Sequence, residues 1–322
     1  MRRALVLACF APFALPEALA QAVTRPTITV SAGVLRAPDA YDQEGNTSGE
    51  SEAFDAATTV SYSVGLGAEV PLLLRGGATV SAGARLTAAS YGIQFEDDTF
   101  GGDLVPQNLM VYGRAGTSQA SALLGVALDL GLNFYDQLGG STRDVNSDGQ
   151  HALVGQLRGE IPAGPARLHA QADASLTFAD ETQLLINSIE DPVGVPVDVA
   201  IDTGNPYGVQ VGAAVPAGPV VLGLAVFYAA RTEGRFEYLD GVPDGFPDGV
   251  PAVQPVNYGY REAFGVIPSV EYRAPGGRLR ARLEGAFSEF YAMENVPVGL
   301  TLSGASGPVT RPAATLRVGV EL

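Results

Sequence analysis

The sequence contains no Trp and no Lys, so Arg supplies all 19 of its basic charges against 35 carboxylates. The net charge of -16 argues against nucleic acid as a partner, because phosphate binding needs basic patches. It also argues against docking on an anionic lipid surface. The single Cys, Cys9, lies in the first 20 residues, so residues 21–322 offer no disulfide and no thiolate chemistry. Residues 21–322 contain no apolar run long enough for a spanning helix. Residence in a membrane would therefore require a closed β-barrel.

Residues 1–20 read as a secretory signal peptide. Arg2 and Arg3 form a basic start, Ala4 to Leu15 an apolar core, and Ala18-Leu19-Ala20 a small-x-small cleavage site before Gln21. Pro12, Pro16 and Glu17 interrupt the run and argue against a retained anchor. A lipid-anchor reading of Val6-Leu7-Ala8 before Cys9 leaves too short an apolar stretch. Residues 21–322 are expected to form one domain.

What fills that domain is period-two alternation. In 166–179, Leu168, Ala170, Ala172, Ala174, Leu176 and Phe178 alternate with Arg167, His169, Gln171, Asp173, Ser175 and Thr177. A strand places the two sets on opposite faces. Twelve such segments are expected: about 27–36, 57–70, 78–93, 107–116, 120–135, 150–162, 166–179, 206–216, 219–235, 258–273, 278–292 and 312–322. Every second connection is short and rich in Pro and Gly, with Pro-Ala-Gly-Pro at both 162–165 and 216–219. The other connections, about 37–56, 94–106, 136–149, 180–205, 236–257 and 293–311, are long and hold 24 of the 35 carboxylates. In an antiparallel meander, turns and loops then gather at opposite ends. The apolar stretch 183–202 either extends its hairpin above the membrane or folds inward as a partial plug.

Most segments run 10 to 16 residues, enough to cross hydrocarbon at a tilt, where about 9–11 are needed. Aromatics on the apolar face (Tyr62, Phe134, Phe178, Tyr207, Tyr228, Tyr258, Tyr260, Phe287 and Tyr291) cluster toward the long connections, as an interfacial girdle does. In these features residues 21–322 resemble bacterial outer-membrane β-barrel proteins. The resemblance is to the class. It implies export to a Gram-negative outer membrane, an all-β antiparallel up-and-down barrel, periplasmic short turns and extracellular long acidic loops. One departure is the terminus, Val320-Glu321-Leu322, where such barrels usually end in an aromatic residue.

With lipid outside, the polar face becomes the lumen. It is rich in small residues, among them Gly65, Gly67, Gly83, Gly125, Gly212 and Gly223. Toward the short turns it carries Glu69, Arg114, Arg158, Glu160, Arg167, Glu271, Arg273, Arg278, Arg280, Arg282, Glu284, Arg317 and Glu321. Glu271, Arg280, Arg282, Glu284, Arg317 and Glu321 belong to the last three, neighbouring strands and can pair across them. They read either as an ionic belt that holds the barrel closed or as a constriction that selects by charge.

One candidate metal loop stands out. Asp144, Asn146 and Asp148, followed by Gly149, match the first half of a calcium loop, but Gly155 stands where the bidentate Glu belongs. No catalytic constellation emerges: nothing in the sequence places a Ser beside His169, and the G-x-S-x-G and H-E-x-x-H motifs are absent. The expectation is therefore not an enzyme and no cofactor beyond calcium in a loop. It is a passive pore for small solutes that attracts cations at its outer mouth. The alternative is a non-conducting structural or surface-display barrel whose acidic loops bind calcium, partners or surfaces.

Overall fold

The computed structural model describes residues 24–38, 58–95, 98–101, 104–130, 151–178, 180–186, 195–202, 204–239, 256–258, 261–291 and 308–321. The strands in chain order are β1 (Thr27–Pro38), β2 (Thr58–Arg75), β3 (Ala78–Phe95), β4 (Asp98–Gly101), β5 (Val105–Gly116), β6 (Ala120–Asp129), β7 (Ala152–Ala163), β8 (Ala166–Thr177) and β9 (Asp180–Ile186). They continue as β10 (Val195–Asp202), β11 (Pro206–Ala217), β12 (Val220–Arg231), β13 (Gly234–Tyr238), β14 (Val256–Tyr258), β15 (Arg261–Arg273), β16 (Leu279–Tyr291) and β17 (Pro308–Glu321).

Twelve of these, β1, β2, β3, β5, β6, β7, β8, β11, β12, β15, β16 and β17, pair antiparallel in sequence order. The ring closes where Thr27 of β1 meets Glu321 of β17. The wall is thus a closed up-and-down barrel without a free edge, as the alternation of twelve segments implied. Strands about 4.8 Å apart, tilted by about 40°, enclose a cylinder roughly 24 Å across between backbones.

Alternation decides what each face meets. Leu66, Leu124, Leu157, Leu224 and Leu283 point outward and are more than half exposed. Their inward neighbours Glu69, Ser81, Arg114, Gln171, Glu271 and Arg317 are buried. A water-soluble barrel inverts this arrangement, so the apolar outer belt marks a wall solvated by lipid. Tyr62, Phe178, Tyr207, Tyr228 and Phe287 are exposed on that wall. Each lies in the half of its strand away from the short turns or, for Phe178, just past that end of β8. Phe134 and Tyr260 lie outside the described residues, as do the side chains of Tyr258 and Tyr291.

Short turns close one end at Gly76-Gly77, 117–119, Gly164-Pro165, Gly218-Pro219 and 274–278. The β2–β3 hairpin differs from the sequence reading. β2 runs on to Arg75 instead of ending near residue 70, and the register shifts between Pro71 and Leu73. A bulge there absorbs the Leu72-Leu73-Leu74 run, which breaks the period of two.

Some of the long connections carry strands of their own. β4 pairs with the far end of β3. β9, β10, β13 and β14 form a separate antiparallel sheet in the order β14-β13-β10-β9. Of the two readings of 183–202, the described part follows the first: β9 and β10 pair as a hairpin, and β10 pairs with β13 beyond the β11–β12 pair. The joint is built at Gly204 and Asn205. Gly204 takes a positive φ of 78°, and its N–H donates to Asp202 Oδ1 at 2.9 Å. Asn205 Oδ1 accepts from Thr177 N at 2.9 Å, while Asn205 N donates to Thr232 Oγ1 at 2.8 Å.

Candidate functional site: the lumen and its ionic neck

The inner face assembles two charge clusters near the short-turn end. The first centres on Glu69 of β2. Its Oε2 accepts from Tyr112 Oη at 3.0 Å, its Oε1 accepts from Ser81 Oγ, and Arg114 Nε lies 3.3 Å from Oε1. Arg114 also lies over the Tyr112 ring, 5.7 Å from its centre. Gly83 makes this geometry accessible, because a Cβ there would lie 2.4 Å from Tyr112 Cζ. The ring thus lies flat along the β3 wall instead of projecting across the bore.

The second cluster joins β15, β16 and β17. Arg282 Nη2 reaches Glu284 Oε1 at 2.7 Å and Ser269 Oγ at 3.3 Å, and Nη1 lies 3.8 Å from Glu271 Oε2. Arg317 Nη1 lies 3.4 Å from Glu284 Oε2, Arg280 Nη2 lies 3.2 Å from Glu321 Oε1, and Arg273 pairs with Glu271. The structure therefore brings Glu271, Arg282, Glu284 and Arg317 into one chain of contacts, and pairs Arg280 with Glu321 nearer the strand ends. Register explains this: Glu271 faces Arg282 across β15–β16, and Arg282 faces Arg317 across β16–β17. Charged pairs facing each other on one side of a sheet are within reach by construction.

A smaller group lies on β7 and β8, where Glu160 contacts Arg167 at 3.1 Å and Arg158 at 3.8 Å. Gln171, opposite Arg158 in the β7–β8 register, is buried. His169 lies against Gly212, where a Cβ would meet its imidazole at 2.7 Å. His151 serves a backbone role, its Nδ1 accepting from Asp129 N at 3.0 Å. On β11 and β12 the inner face at this level is Gly212, Ala214, Val221 and Gly223, so the ionic ring is interrupted there by small apolar side chains.

Below the ring, a cavity of about 630 Å³ opens between the short turns. Thr27, Thr29, Glu69, Thr79, Tyr112, Arg280 and Glu321 line it. Farther from the turns the inner wall of β12, β15 and β16 becomes apolar, with Ala225, Ile267 and Ala286 packed together and Phe227 against them. Sequence reasoning did not name Tyr112 or Ile267 as lumen residues. Their strands carry apolar residues on both faces, so parity alone gave no contrast.

Asp144, Asn146 and Asp148 lie outside the described residues. Among the described residues no group of three or more His, Cys, Asp or Glu is placed to hold a metal ion.

No family model matches the chain, and no curated protein matches it. Solved structures do. An outer membrane channel from Pseudomonas putida F1 superposes with a TM-score of 0.59 at 12% identity, covering 92% of this chain and 96% of that one. The TodX monoaromatic hydrocarbon channel gives 0.41 at 10% identity over 92% and 89% of the two chains. The β domain of the Bordetella autotransporter BrkA gives 0.36 at 13% over 91% and 98%. The first likeness establishes the fold, that of the bacterial outer-membrane β-barrels.

Proposed function

We propose that this barrel is a passive outer-membrane pore for small polar solutes, with the ionic ring as its neck. The observation that carries the reading is the 630 Å³ cavity, which reaches from the short-turn mouth to Glu69 and Tyr112 inside the wall. Small inward residues support it. Gly65, Gly83, Gly212 and Gly223 each let a neighbouring side chain lie along the wall, which leaves the axis to water. Carboxylates of the long connections would concentrate cations at the outer mouth.

The test is conductance of residues 21–322 in a planar bilayer. Stable steps that grow with salt are expected. In Gly83→Val the added side chain would drive the Tyr112 ring into the bore and shrink the steps, and Tyr112→Ala in the same chain would restore them. A folded barrel that never conducts would overturn the reading.

A second reading rests on the burial of Glu69, Arg114, Glu284 and Arg317. Side chains so enclosed also suit a closed ionic plug in a structural barrel whose loops do the binding. Calcium would then raise the melting temperature, and Asp144→Ala with Asp148→Ala would abolish the rise.

A further inference from the structure

The sheet of β9, β10, β13 and β14 continues the barrel wall without a slip in register. Six residues along each strand from the wall pair Tyr207–Ala174 lies the sheet pair Ile201–Asp180. The same step-for-step count links Pro206–Arg231 to Asp202–Arg235, and Arg231–Arg261 to Gly234–Tyr258. At the joint, Thr232 N donates to Asn205 O at 3.1 Å in that register. The four strands are therefore β8, β11, β12 and β15 carried past the rim, and the parity of the wall carries over to them.

On the wall, even positions of β8, β12 and β15 and odd positions of β11 meet lipid. Leu176, Tyr207, Val209, Tyr228 and Phe264 are exposed there. Continued at the same parity, the face holds Val195, Val197, Val199 and Ile201 of β10, with Leu184 and Ile186 of β9 opposite the first two in reverse order. It runs on through Phe236 and Tyr238 of β13 and Val256 of β14. Asp180, beside the joint, is its one charged position among the described residues. The opposite parity holds Glu181, Asp198, Asp202, Arg235 and Glu237, of which Asp198 and Arg235 are exposed. A sheet wetted on one face needs a cover on its apolar face.

Height and symmetry decide what covers it. The 12 residues of β11 rise about 30 Å at a tilt of about 40°, more than the roughly 25 Å apolar band of such a barrel. β10 therefore starts above the acyl chains. A second copy inserted in the same direction presents the same face at the same height, and rotation about the membrane normal sets the two face to face. Strands about 4.8 Å apart and roughly six residues long give a flat area of about 400 Å² per copy. A standard interface takes about 800 Å² per partner. The upper outer wall of the same strands, apolar as well, supplies the remainder.

We propose that the apolar face of this sheet is the contact surface of a twofold dimer of this chain, with the two sheets packed back to back above the membrane. The dimer stands independently of whether the bore conducts.

Residues 21–322 contain no Cys, so each introduced Cys is unique. Val197→Cys and Val199→Cys, with Asp198→Cys from the opposite face, are reconstituted in lipid vesicles and treated with a short bismaleimide. Packed sheets stand about 10 Å apart, within its reach. Covalent dimer is expected from the first two, undiminished when the vesicles are diluted with lipid, and absent from Asp198→Cys. Adding Val199→Asp to Val197→Cys should lower the yield about tenfold, because each contact would then bury two unpaired carboxylates. No dimer at Val197 or Val199 overturns the proposal. A fluorophore there quenched by brominated acyl chains would then give the face to lipid, and one quenched by iodide would leave it in water. Equal dimer from Asp198→Cys, or dimer that vanishes on dilution with lipid, marks chance collision and overturns it too.

Discussion

At the scale of single residues, the lumen contains the same ion pair in two settings. Arg282 is held between Glu271 and Glu284, both nearly fully buried. Arg167 meets Glu160 with about half of its own side chain in solvent. Removing Arg282 leaves two carboxylates enclosed with less compensation, whereas removing Arg167 leaves a carboxylate that water reaches. Arg282→Gln is therefore expected to destabilise the barrel by about 3 kcal/mol, and Arg167→Gln by less than ~1 kcal/mol. Urea unfolding of both variants in lipid vesicles would show the difference, and equal losses would mean that burial does not set the strength of these pairs. Most of the arginine and glutamate positions were legible in the sequence because they share parity with small or polar neighbours on their strands. Tyr112 was not, because Leu109 and Val111 on one face of β5 alternate with Met110 and Tyr112 on the other, and hydrophobicity cannot tell them apart. Its contact with Glu69, 43 residues away in sequence, identifies its side.

At the scale of elements, the twelve wall strands were readable because lipid and lumen impose opposite chemistry on successive residues. Departures occur where that pressure lapses. β2 extends to Arg75 through three leucines beyond the strict alternation. The sheet of β9, β10, β13 and β14 lies beyond the wall, where apolar patterning alone left its placement open between extension and plug. Its attachment depends on a polar joint. A Cβ at Gly204 would lie 2.2 Å from Thr232 O, and the positive φ there disfavours any side chain by about 1–2 kcal/mol. Gly204→Ala should thus loosen the sheet while leaving the barrel intact. Limited proteolysis read by mass spectrometry is expected to cut within β9–β10 roughly tenfold faster, given that ~1.4 kcal/mol changes an opening equilibrium tenfold. Cleavage in β11 or β12 at a similar rate would show that the joint supports the barrel wall as well.

At the scale of the whole molecule, charge is divided along the axis. The net charge of -16 resides largely in the long connections, while the neck near the short turns carries more arginine than glutamate among its described ion pairs. A pore with opposite fixed charge toward its two ends does not pass current equally in both directions. Ions accumulate in the bore at one polarity and are depleted at the other, so conductance depends on the sign of the voltage. The asymmetry requires that fixed charges act across the bore. Their range is about 10 Å at 0.1 M salt and about 3 Å at 1 M. Single barrels inserted in one orientation are therefore expected to rectify at 0.1 M KCl and to become ohmic at 1 M. Arg158→Gln should weaken the rectification, because it removes charge from the neck alone. Rectification that persists unchanged at 1 M would point instead to a mechanical cause, such as a segment moving in the field, and would remove the division of charge as its explanation.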